Sequence, residues 1–139
     1  MRIQVSTDYA VRILRYLHKA EEKQEPLQTA MTITIATGLT YPFFIKIANQ
    51  LKKSNLVSAV QGRNGGYVLG KPADQITIYD VFLATEGEMW INHCLKGDHT
   101  HCSRDGFKNC ALRKFFGCMQ QDMIAKMTAQ TIRDLDRAS

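Results

Sequence analysis

A mostly α-helical chain with one small β-hairpin and a long helix near its end is the fold this sequence predicts. Three observations predict it. Apolar residues recur at helical steps near the N-terminus, a loop rich in Gly and Asn separates two short apolar runs, and Leu112, Phe115, Phe116, Met119, Met123 and Met127 recur at steps of three and four.

The first helix rests on Tyr9, Val11, Ile13, Leu14, Tyr16 and Leu17, with Thr7 or Ser6 as its cap, and runs to about residue 22. Lys23-Gln24-Glu25-Pro26 breaks it. A short helix over about residues 29–37 ends at Gly38. A third spans about 41–54, with Pro42 in its first turn, where its missing N–H costs nothing. Phe44, Ile47, Ala48 and Leu51 line one face, and Lys46, Gln50, Lys52 and Lys53 lie elsewhere. Two helices joined by a tight Gly-containing turn form a helix-turn-helix. The apolar runs 56–60 and 67–69 flank Gln61-Gly62-Arg63-Asn64-Gly65-Gly66, a hairpin loop because Gly and Asn accept positive φ. A hairpin in that place is a wing. Pro72 closes it, and Thr77 caps a fourth helix over about 78–86.

Residues 87–109 show no clear period and read as a long irregular loop that needs something to order it. Helical periodicity resumes near residue 109. That helix is too apolar to stand alone in water, so a partner subunit is its simplest cover and a homodimer is expected. A short terminal helix near 131–137 is expected to pack back on it. The predicted organisation is a winged helix-turn-helix domain over 1–86, a cysteine-containing sensor loop over 87–109, and a dimerisation helix with its tail over 110–139.

The bulk properties agree. Of 139 residues, 45% are hydrophobic and 22% charged, which argues against wholesale disorder. No apolar run is long enough for a membrane span, and the opening segment lacks the apolar core and cleavage site of a signal peptide, so a cytoplasmic protein with no membrane partner is expected. Residues 1–72 hold 10 Lys/Arg and 4 Asp/Glu, or +6, and residues 73–139 hold 8 and 9, or −1, which together make the net +5. A basic first half beside a near-neutral second half suits a polyanion.

Helix-turn-helix geometry makes Thr40, Tyr41, Pro42, Phe43, Ile45 and Lys46 the candidates for double-stranded DNA, because the start of the second helix meets base edges. Apolar groups read thymine methyls, and Lys46 reaches guanine or phosphate. In the wing, Gln61, Arg63 and Asn64 are the candidates, and a guanidinium at the tip suits a narrow minor groove. Each cation taken singly is a commonplace surface charge. Combined with helix-turn-helix and wing, they point to DNA.

All four cysteines lie between residues 94 and 118. In a reducing compartment such clustering suits metal or redox chemistry more than structural disulfides. Thiolates favour iron–sulfur centres and zinc. His93, His99 and His101 beside Cys94 and Cys102 keep zinc as an alternative, although no short Cys-x-x-Cys knuckle is present. Cys118 also suits a small buried hydrophobe. An enzyme built on Cys94 or Cys102 with a nearby His lacks an orienting third group, and the usual catalytic signatures are missing. No enzyme is expected.

The opening 17 residues, the segment Ile47-Ala48-Asn49-Gln50-Leu51-Lys52-Lys53, the wing Val60–Leu69 and Ile78-Tyr79-Asp80-Val81 resemble the Rrf family of bacterial winged-helix repressors over nearly the whole chain. The resemblance implies a dimer built on the long helix. In the family's sensors, three cysteines before that helix hold an iron–sulfur cluster, of four or two irons. Cys94, Cys102 and Cys110 match them, and Asp8 matches an aspartate that NsrR-like members supply from the partner subunit. The implied signal is nitric oxide, redox or iron–sulfur status. Arg113 replaces the histidine that IscR-like members carry three residues after the third cysteine, which brings the ligand pattern nearest to NsrR-like members. Seven residues separate each cysteine from the next, a longer spacing than the family's sensors use.

Overall fold

A computed structural model describes residues 2–96 and 110–138. Helix α1 (Val5–Glu22) leads into α2 (Ala30–Thr37) and α3 (Tyr41–Lys53), then the hairpin β1 (Val57–Val60) and β2 (Gly66–Leu69). Helix α4 (Ile78–Glu86), the long α5 (Ala111–Ala129) and the terminal α6 (Ile132–Ala138) complete the order. The mostly helical class with one small antiparallel sheet is therefore present.

The core forms where amphipathic faces meet. Ile13, Leu14 and Leu17 of α1 bury their side chains against Ile33 of α2 and Phe44, Ile47 and Leu51 of α3. Leu56, Ile76, Val81 and Ile132 close the far side. Each of these fully buried side chains contributes about 1.5–3 kcal/mol through removal from water.

Helices α2 and α3 bend through 107° across Gly38-Leu39, within the helix-turn-helix range. Gly38 adopts φ 76°, a left-handed turn that costs glycine nothing, and Leu39 drops into the core. Thr29 caps α2 by accepting the Thr32 N–H at 3.2 Å. The wing pairs Val57 with Leu69 and Val60 with Gly66.

Two expectations are corrected. Ser6 and Thr7 do not cap α1. Gln4 is the cap residue, and Ser6 and Thr7 are buried inside the helix. The cap is supplied from elsewhere, because the Glu86 carboxylate at the end of α4 accepts the Gln4 N–H at 3.2 Å and the Thr7 hydroxyl. A carboxylate there also complements the helix dipole. Helix α6 does not fold back on α5 but packs on α1. Its start lies beside that of α4, with Ile78 N–H to Gln130 at 2.9 Å and Ile132 N–H to Ile76 at 2.9 Å, and Arg15 holds Asp136 at 2.7 Å. Thr77 caps α4 as expected, and Asp80 returns the bond to the Thr77 N–H, both at 3.0 Å.

Helix α5 has no buried residue, and Leu112, Phe115 and Met119 expose an apolar stripe. Among the described residues no single helix is long and apolar enough to cross a membrane.

Candidate nucleic-acid interface and cysteine segment

The start of α3 stands out from the core because the helical period turns only Phe44, Ile47, Ala48 and Leu51 fully inward. Thr40, Tyr41, Pro42 and Lys46 are exposed, Tyr41 by 61%. Phe43 and Ile45 are half-buried and packed against the core. The Phe43 ring meets Tyr9 edge-on at 5.6 Å, which ties the start of α3 to α1. Of the six candidates on this helix, four therefore present free surface and two serve packing as well.

Gln61, Arg63 and Asn64 are exposed at the wing tip. Gly62 supplies the positive φ of 110° that the turn needs.

The wing's second strand is tied to the helical body. Gln28, in the α1–α2 link, and Tyr67 of β2 exchange backbone hydrogen bonds of 3.1 and 2.7 Å. A Cβ on Gly66 would lie 2.4 Å from the Gln28 carbonyl oxygen, so only glycine allows this approach. Tyr16 donates its hydroxyl to Gln28 Oε1 at 2.8 Å, and the Gln28 amide donates to the Glu25 carbonyl at 2.7 Å. The Tyr67 ring stands edge-on to Phe44 at 5.2 Å. Burial raises the Tyr67 phenol above its ordinary value, and Tyr41 raises it further. Sequence reasoning passed over Gln28 and Tyr67. An isolated Tyr in a strand and a Gln in a linker carry no periodic signal, and only their pairing gives them a role.

The cysteine segment begins just after α4. Cys94 is half-buried in a short 3-10 turn, His93–Leu95, and Cys110 is half-buried at the cap of α5. Arg113 Nε donates to the Cys94 carbonyl at 3.3 Å, and Gln120 accepts the Ile91 N–H at 3.0 Å. These bonds hold the turn that carries Cys94 against the helix that Cys110 begins. Cys102, His99 and His101 lie outside the described residues. His93 lies against Trp90, with ring centroids 4.9 Å apart. Asp8 is exposed on α1 and pairs with Arg12 at 3.0 Å. Among the described residues no three His, Cys, Asp or Glu side chains are grouped to hold a metal ion. The thiols of Cys94 and Cys110, on neighbouring elements and with soft sulfur donors, suit two corners of a thiolate-ligated centre. Cys118 is exposed on α5, so it is no buried hydrophobe within one protomer.

Residues 3–138 match the Rrf2 family, described as iron-dependent transcriptional regulators. The chain belongs to the Rrf2 family. Protein aau3 of Rhizobium meliloti (strain 1021) is 37% identical over 127 residues, covering 86% of this chain and 80% of that protein. Solved structures share the fold of this Rrf2 regulator. CymR (YrzC), the global cysteine regulator of B. subtilis, has a TM-score of 0.76 at 20% identity over 100% of this chain and 98% of that one. IscR of T. potens has a TM-score of 0.74 at 18% identity over 100% and 89%. A transcriptional regulator from Listeria innocua has a TM-score of 0.79 at 21% identity over 100% and 88%. The family is one of transcription regulators, which bind DNA.

Proposed function

We propose that this Rrf2 regulator is a homodimeric repressor of transcription, and that its cysteine segment senses nitric oxide, redox or iron–sulfur status. The observation that carries the DNA reading is the exposed start of α3 standing beside a wing whose second strand is bonded to the helical body. In this reading Thr40, Pro42, Phe43 and Ile45 meet base edges, Tyr41 meets them with its ring while its hydroxyl reaches the neighbouring strand, and Lys46 reaches guanine or phosphate. Arg63 enters the minor groove between Gln61 and Asn64. Lys52 and Lys53, at the far end of α3, touch phosphate and set affinity without sequence. The apolar stripe of α5 supports a second copy as its cover, which presents two reading heads to one duplex.

Cys94, Cys102 and Cys110 would hold an iron–sulfur cluster, with Asp8 of the partner subunit as the fourth ligand. When bound, such a cluster supplies iron that is open to nitric oxide and to oxidation. Cys94 and Cys110 flank the segment that joins the reading head to α5, so a change in their bonding bears on how the two heads are spaced. A tenfold change in DNA affinity requires only about 1.4 kcal/mol of coupling. A cluster-free or zinc-binding regulator of the same family is the second reading, and the histidines beside Cys94 and Cys102 in the sequence are what support zinc.

Anaerobic purification with a visible spectrum, followed by DNA binding before and after nitric oxide, tests both parts. A brown protein whose colour is lost on replacing Cys94, Cys102 or Cys110, but not Cys118, is expected. A colourless protein with stoichiometric zinc would replace the sensor model. An affinity that nitric oxide leaves unchanged would remove the proposed signal.

A further inference from the structure

A helix in the major groove and a wing in the adjacent minor groove must straddle the sugar–phosphate strand between them. Whatever stands in the angle between α3 and the wing faces that strand. In this chain Tyr67 of β2 is half-buried at the junction of the wing and α3. Its ring stands edge-on to Phe44 at 5.2 Å, with an interplanar angle of 88°. Phe44 lies one helical turn after Tyr41, which is 61% exposed, and Tyr41 acts on the Tyr67 phenol electrostatically. The two tyrosines therefore flank Phe44 near the start of α3.

We propose that the Tyr67 hydroxyl, with that of Tyr41 beside it, binds one phosphodiester of the DNA strand that runs between the recognition helix and the wing. This rests on the DNA reading above and gives it a phosphate contact that carries no side-chain charge. Tyr67 is suited to the task because it is fixed. Its backbone exchanges two hydrogen bonds with Gln28, its ring leans on the buried Phe44, and Gly66 lets the strand close on the link. A donor held in place before binding loses little freedom on contact. A phenol is protonated at neutral pH even at its ordinary value of 10.0, and burial raises that value further, so Tyr67 meets the phosphate as a hydroxyl donor and not as a repelling phenolate.

Two signatures distinguish this contact from those of Lys and Arg. A phosphate carries no base identity, so losing the contact weakens every duplex by the same factor. A neutral hydroxyl releases no counterion, so affinity falls while the salt slope stays.

The test uses the full chain, as wild type, Tyr67→Phe and Tyr41→Phe, on two duplexes of roughly 30 base pairs, or three helical turns. One has random sequence and the other is enriched from a random library by the wild-type protein. Tyr67→Phe keeps the ring and its contact with Phe44. We expect about a tenfold loss on both duplexes, the size of one hydrogen bond to a charged group, with an unchanged salt slope. Tyr41→Phe should give a smaller loss in the same direction, because Tyr41 is the more exposed residue and is less firmly held. In a methylphosphonate scan, wild type should show a penalty at one phosphate per half-site that disappears in Tyr67→Phe. This scan is decisive even where the variant is less stable, since it compares positions within one protein. Equal affinity of Tyr67→Phe and wild type, or identical scans for the two, overturns the proposal and leaves DNA binding intact. A wild type that binds neither duplex overturns the DNA reading itself.

Discussion

Arg63 stands in the loop of the wing and Tyr67 in its second strand, and they do different work. Arg63 is exposed at the tip, where nothing but its charge and its donor fork recommends it. Arg63→Ala is expected to weaken specific binding by about 1–3 kcal/mol and to lower the salt slope by about one. A gel-shift titration over several salt concentrations reads both, and equal affinity for the variant would end that role. Tyr67 makes a different prediction. Its phenol is raised above the ordinary value of 10.0, first by burial and then by Tyr41. The unfolded chain loses this proton at a lower pH than the folded one. The stability tied to the neutral phenol is therefore complete below about pH 10 and is lost as pH rises through the folded-state value. Thermal melts between about pH 9 and pH 11 should show a steeper fall for wild type than for Tyr67→Phe, which has no phenol to titrate.

At the scale of elements, local signals and remote partners share the task of ending each helix. Helices α4 and α6 each start with a Thr and an Asp that cap reciprocally, Thr77 with Asp80 and Thr131 with Asp134, at 3.0–3.1 Å. Helix α1 has no such pair and takes its cap from Glu86, more than seventy residues away in sequence. The wing likewise depends on a distant segment. Gly66→Ala would place a Cβ 2.4 Å from the Gln28 carbonyl oxygen, backbone that cannot yield cheaply. The expected outcome is a displaced wing, with DNA affinity reduced at least about tenfold while the helical circular dichroism is retained. Unchanged binding by this variant would show that the link between wing and body is dispensable.

For the whole molecule, the C-terminus returns to the first half of the chain. Ile132 is buried in the main core, and Asp136 receives Arg15 at 2.7 Å. Helix α5 is thereby anchored at its end, while Leu112 and Phe115 remain 58% and 59% exposed. Replacing both with Glu puts two charges where a second copy is proposed to sit. Sedimentation should show a monomer, and cooperative binding to a two-half-site duplex should weaken by at least about tenfold, because two linked heads raise the effective concentration of each other. A variant that sediments as wild type does would place the partner contact elsewhere.

How much of this was legible beforehand follows from the range of each interaction. Periodic apolar residues, Gly38 at the turn, Pro42 in a first turn, Thr77 before an apolar run and the Gly-rich hairpin loop all act within a few residues, so the sequence by itself determined the helix order, the wing and the exposure of Thr40, Tyr41, Pro42 and Lys46. Phe43 and Ile45 are legible in the sequence only as DNA candidates, and their half-burial against the core, with Phe43 on Tyr9, is not, since that needs the neighbouring helix in place. Four features were decided only by tertiary structure. Glu86 caps α1, α6 docks on α1 and not on α5, Gln28 pairs with Tyr67, and Arg113 holds the turn that carries Cys94. The physical reason is common to them. Each joins groups far apart in the chain whose partners are chosen by the packing of whole elements, and a backbone hydrogen bond or a single side chain leaves no period or local preference by which its distant partner could be read.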